Sequence, residues 1–83
     1  MRGKQFTLYI TRYCHLCDEM ELALWRLKSS LPFDYEVIDV DSDLELESRY
    51  AEAVPILVAH DQEVCRYHLD EQAVRLRIDK LRG

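Results

Sequence analysis

Two hydrophobic periods take turns along this chain, and their alternation restricts its fold more than any single motif. Residues 5–10 are rich in β-branched and aromatic side chains and predict a strand. Between residues 14 and 31 the positions Leu16, Met20, Ala23, Leu24, Leu27 and Leu31 recur at the spacing of an amphipathic helix, which Pro32 stops. Residues 35–40 set Tyr35, Val37, Ile38 and Val40 among acids and predict a second strand. Residues 43–50 predict a short helix with acids in its first turn, where the helix dipole favours them. Residues 55–59 form an apolar run suited to a buried strand, residues 60–63 can turn, and residues 64–67 would return as the antiparallel partner. Asp70 then opens a last helix with Ala73, Val74, Ile78 and Leu81 facing inward and Arg75, Arg77, Lys80 and Arg82 toward its C-terminal end. The order is β-α-β-α-β-β-α. Its first βαβ unit implies a parallel pair with a right-handed crossover, and the final hairpin makes the sheet mixed. Helices on both faces would complete a three-layer α/β sandwich.

Composition narrows the function. Eighty-three residues, read as one domain over 1–83, contain no linker, repeat or low-complexity tract. A chain this short buries only about 60% of its unfolded surface. The mixture of 48% hydrophobic and 33% charged residues is globular, and the net charge of −5 argues against a nucleic-acid partner. No apolar run approaches the ~20 residues of a membrane span, and the run at 6–10 is too short for the core of a secretory signal. A cytoplasmic protein without a membrane partner is expected. The only glycines, Gly3 and Gly83, lie near the ends, which removes glycine-rich phosphate loops. Three cysteines in a reducing compartment point to chemistry or metal rather than to a disulfide framework.

Cys14-His15-Leu16-Cys17 falls at the junction between the first strand and the first helix. Unpaired N–H groups and the positive dipole end at a helix N-terminus stabilise a thiolate. Cys14, the outer residue, is therefore expected to have a lowered pKa and to attack, while Cys17, one turn on, shares its face and resolves the mixed disulfide. Arg12 and a protonated His15 would favour the thiolate; Asp18, Glu19 and Glu21 would oppose it at close range. Asp18 reads either as a first-turn acid or as a proton acceptor for Cys17. Two other readings compete. Cys14, Cys17, Cys65 and His68 offer four zinc ligands with knuckle-like internal spacing, although 47 residues separate the pairs. Alternatively, the cysteines are inert and buried.

The run Thr11-Arg12-Tyr13-Cys14-His15-Leu16-Cys17-Asp18-Glu19, followed by Arg49-Tyr50 and Val54-Pro55-Ile56-Leu57, resembles the glutaredoxin-like branch of the thioredoxin superfamily. The resemblance runs from Phe6 to Leu81. It implies a thioredoxin fold with a four-stranded mixed sheet of order 4-3-1-2, the third strand antiparallel to its neighbour. It further implies that Pro55 is cis and faces the cysteine pair, and that Val54 offers its backbone to a substrate cysteine. Arg12, Tyr13, Val54, Pro55 and Asp70 become the implied substrate contacts. A trans proline opening a strand is the alternative that elementary geometry allows. The sequence departs from the family at two places. His15 and Leu16 replace the usual Pro-aromatic pair, and Cys65-Arg66-Tyr67-His68-Leu69-Asp70 lacks the Gly-Gly pair used for glutathione, with Arg66 and Tyr67 crowding that pocket.

The expected activity is thiol-disulfide exchange on protein or glutathione disulfides. Cys14 and Cys17 would be catalytic, with no metal and no tightly bound cofactor, and a reductase or the glutathione system would supply electrons to a monomer. A non-enzymatic thioredoxin-like binding module is the runner-up. Cys65 reads as a small hydrophobe or a third thiol, and His15 as a solvated residue or a tuner of potential. His60 and His68 read as turn and loop residues. Leu22 and Trp25 fall off the helical stripe and suit either the core edge or a partner patch. The acids between residues 39 and 52 read as a solvated face.

Overall fold

A computed structural model describes residues 5–50 and 52–82. The elements are β1 (Phe6–Ile10), α1 (His15–Lys28), β2 (Tyr35–Asp39), α2 (Leu44–Tyr50), β3 (Ile56–Ala59), β4 (Gln62–Arg66) and α3 (Glu71–Arg82), with one 3-10 turn at Val40–Ser42 after β2. The sheet order is β2-β1-β3-β4, which is 4-3-1-2 read from the other side. β1 runs parallel to β2 and antiparallel to β3, and β3 is antiparallel to β4. This is the thioredoxin fold.

The pleat divides the side chains between two faces. Phe6 and Leu8 of β1 and Leu57 and Ala59 of β3 point to one face, where Met20, Leu24 and Leu27 of α1 and Val74 and Ile78 of α3 close over them. Phe33 packs edge-to-face on Phe6 with ring centroids 5.4 Å apart. On the other face Tyr9 stacks on Tyr50 of α2 at 4.4 Å, and α2 itself buries no residue. The expected inward positions Val74 and Ile78 are buried and Ala73 is half-buried, whereas the side chain of Leu81 lies outside the described residues. Along α1 Met20, Leu24 and Leu27 are buried as expected, while at the first turn the buried position is Cys17 and Leu16 is half-buried.

Element ends show where local chemistry overrides periodicity. α1 stops at Lys28 instead of running to Leu31. Ser29 Oγ donates to the Arg26 carbonyl at 2.6 Å, one of the local bonds by which serine competes with the helix, and a residue before proline avoids helical angles. The hairpin turns on two residues, His60 and Asp61, both in the left-handed region at φ 52° and 63°. β4 consequently starts at Gln62, two residues earlier than expected. A bulge follows, since Leu57 pairs with Cys65 while Val58 pairs with Glu63, so that Val64 is the additional residue.

Candidate active site

Strand register gathers the site at one edge of the sheet. Tyr9 pairs with Ile56, Ile10 with Asp39, and Ile56 with Arg66. The chain leaving β1 toward Cys14, the turn after β2, the loop entering β3 at Pro55 and the end of β4 therefore all lie at that edge. Nothing close in sequence brings these four segments together.

Cys14 is the N-cap of α1, with extended backbone angles, and Asp18 N–H donates to its carbonyl at 3.1 Å. Its Sγ accepts the Cys17 N–H at 3.0 Å, occupying one of the free donors of the first turn. Cys14 and Cys17 are joined by a disulfide, with Cα atoms 5.1 Å apart. Cys17 is 1% exposed, whereas Cys14 is half-buried. One sulfur thus meets solvent and the other is shielded behind it. His15 points to solvent and contacts Glu19 one turn on, with Nε2 and Oε2 2.8 Å apart. Tyr13, fully exposed, precedes Cys14 in the left-handed region at φ 54°.

The Val54–Pro55 bond is cis, as the family resemblance implied. Pro55 is buried, and Val54 lies just outside the ladder, which begins at Ile56. Arg12 is exposed with its Nε 3.6 Å from Asp39 Oδ2. Asp70 is the N-terminal cap of α3, its Oδ1 accepting the Ala73 N–H at 3.1 Å.

Two contributors escape sequence reasoning. Asp41, read as part of a solvated acidic face, accepts Thr11 Oγ1 at 2.7 Å and the Arg12 N–H at 3.3 Å. These bonds, Thr11's first, hold its carboxyl below the ordinary 3.8. It tethers the loop that delivers Cys14. Register of the first βαβ unit is the signal that would have found it, because Ile10 beside Asp39 sets the following residues side by side. Tyr67, read only as bulk, adopts φ 68°, donates its N–H to the Pro55 carbonyl at 2.7 Å and its hydroxyl to the Glu52 carbonyl at 2.9 Å. These bonds strap the end of β4 to the loop before β3. A groove of about 610 Å³ runs beside the strap, with Arg49, Glu52, Arg66 and Tyr67 among its walls.

The zinc tetrad is not assembled. No group of three or more His, Cys, Asp or Glu side chains arranged to hold a metal occurs among the described residues. Cys14 and Cys17 are spent on each other, and Cys65 packs inward from β4 against the core, where burial pushes its thiol pKa up. His68 is exposed. The inert-cysteine reading fails as well, since the pair is joined and Cys14 reaches the surface.

A thioredoxin-fold domain with a cysteine pair capping its first helix and a cis-proline on the same sheet edge defines the class. The family model described as Glutaredoxin-like domain (DUF836) matches residues 5–79, and the chain belongs to that family. It is similar to a protein of Nitrosomonas europaea solved by NMR, at 33% identity over 92% of each chain with a TM-score of 0.76. It is also similar to a protein of X. campestris solved by X-ray crystallography, at 29% identity, covering 90% of this chain and 96% of that one, with a TM-score of 0.65. Thioredoxin from Fasciola hepatica shares the fold, with 21% identity, coverage of 93% and 82%, and a TM-score of 0.59. No curated protein sequence matches the chain. The family, the fold and the joined cysteines support a redox-type role.

Proposed function

We propose that this protein is a thiol-disulfide oxidoreductase that reduces disulfides in proteins. The observation that carries the reading is the Cys14–Cys17 disulfide at the N-terminus of α1, with Cys14 Sγ facing the Cys17 amide and only Cys14 open to solvent. In the reduced protein the Cys14 thiolate attacks a substrate sulfur, forming a mixed disulfide and expelling the substrate's other sulfur as a thiolate. The Cys17 thiolate then attacks Cys14 Sγ, closing the internal disulfide and releasing the second substrate thiolate. Two electrons pass to the substrate, and each released thiolate takes up a proton. Val54, with Pro55 at its C-terminal side, supplies backbone to the substrate strand, and Arg12 and Tyr13 flank it. Asp70 serves α3 as its cap, and that bond competes with any role in holding substrate.

Glutathione fits less well than a protein chain as the disulfide's partner. Where the family resemblance places a pair of glycines, this chain has Cys65-Arg66-Tyr67-His68-Leu69-Asp70, with the bulk of Arg66 and Tyr67 in place of bare backbone. A separate reductase is therefore the favoured electron source for a monomer working in the cytoplasm. Insulin disulfide reduction by the protein, with dithiothreitol as reductant, tests the assignment. Cys14→Ser is expected to lose all activity above the dithiothreitol background. Pre-reduced Cys17→Ser, mixed with insulin in the absence of dithiothreitol, is expected to accumulate a covalent adduct with insulin chains, visible by mass spectrometry. Full activity in both variants would refute the assignment of Cys14 and Cys17 as the reacting pair, whereas a binding module would show no activity above background in the wild type.

A further inference from the structure

The outer side of α1 carries a groove that disulfide exchange leaves unused. Asp18, Glu21, Leu22 and Trp25 follow at helical spacing, one position round from the buried line of Cys17, Met20 and Leu24. Tyr35, on the edge strand β2, forms the opposite wall, and the groove encloses about 260 Å³. Leu22 and Trp25 remain 48% and 65% exposed. Cys14 lies four residues before Asp18, so the groove starts about one helical turn from the residue whose sulfur attacks. Trp25, eleven residues past Cys14, lies about 16 Å further along the helix axis at roughly 1.5 Å per residue. About five residues of extended chain cover that length.

We propose that this groove docks disulfide-bearing protein substrates that carry a cationic side chain beside an apolar one, about five residues from the reacting cysteine. The inference rests on the redox reading above. Charge complementarity selects the occupant: Asp18 and Glu21 line the groove together with Trp25 and Leu22, on a chain of net charge −5. A guanidinium or ammonium group there meets two carboxylates and the face of an indole, and its apolar neighbour covers Leu22. The local cation Lys28 is already engaged, with Nζ 3.1 Å from Asp34 and 5.9 Å from the centre of the Tyr35 ring. The two carboxylates disfavour a second copy of an acidic chain.

Two kinds of synthetic peptide test the proposal. Each contains one intramolecular disulfide, and they differ only in an Arg-Leu or a Glu-Leu pair five residues from a cysteine, with a version for either side of it. Stopped-flow oxidation of the reduced protein by each peptide, and by the small neutral hydroxyethyl disulfide, gives the rates. The Arg-Leu peptide is expected to react about tenfold faster than the Glu-Leu peptide, a size typical of a desolvated cation–aromatic contact with added charge attraction. Trp25→Ala and Glu21→Gln should each remove most of that preference while hydroxyethyl disulfide oxidises all three proteins at one rate. Equal peptide rates, or a preference that survives both substitutions, overturn the docking site. So does a concentration-dependent sedimentation shift abolished by Trp25→Ala, which would give the groove to a second copy. Normal exchange with hydroxyethyl disulfide but no peptide preference removes the docking site alone, whereas no exchange with any disulfide removes the redox reading and the docking site with it.

Discussion

Cys14 and Cys65 are the same residue in opposite surroundings. Cys14 caps a helix, is half-buried, and has a backbone N–H aimed at its sulfur. Cys65 sits in mid-strand, cross-paired with Leu57 and packed against the core, where burial is the largest influence and raises its pKa above the usual 9.0. A backbone donor from Asp70 pulls the other way, but burial prevails. The contrast teaches that reactivity in this fold comes from which backbone groups a sulfur meets. Free donors at a helix end favour the anion; an apolar sheet face favours the thiol.

Replacing the core sulfur is the strongest way to break the comparison. Cys65→Ser is expected to lower stability by about 1–2 kcal/mol, because a hydroxyl costs more than a thiol to take out of water on that sheet face and the Asp70 backbone donor offsets only part of it. Urea unfolding measures this loss. The same variant should reduce insulin at the wild-type rate, and a drop in rate without unfolding would make Cys65 a participant in exchange.

A smaller effect sharpens the contrast from the Cys14 side. The Asp41 carboxylate ties Thr11 and Arg12 in the loop leading to Cys14, and its pKa is held down chiefly by the Thr11 hydroxyl. A depressed carboxyl stabilises the fold above its unfolded value of 3.8 and loses that contribution as pH falls through the lower folded value. The stability difference between wild type and Asp41→Ala should thus be constant above pH 3.8 and shrink toward zero below it. Urea unfolding from pH 2 to 6 checks the sign. Asp41 is exposed, so a small difference is expected.

Element order, the cap at Asp70 and most of the buried stripe of α1 were legible because they depend on local periodicity and local hydrogen bonds. Cys14 was legible for the same reason, since a residue between strand and helix can be placed without knowing the tertiary fold. The cis bond at Pro55 came through family resemblance, as a proline at the start of a strand is compatible with either isomer. Asp41 and Tyr67 were not legible. Their bonds span 30 and 15 residues and exist only because register sets four loops at one sheet edge. The two-residue hairpin was missed because His60 and Asp61 take angles that glycine or asparagine usually advertises.

The most direct test of the account is the pH dependence of iodoacetamide labelling of the fully reduced protein, resolved by residue with mass spectrometry. Cys14 should reach half its maximal rate below the ordinary cysteine value of 9.0, while Cys65 should do so above it. A Cys14 midpoint at or above that of a free cysteine would contradict the claim that the start of α1 makes this sulfur the nucleophile.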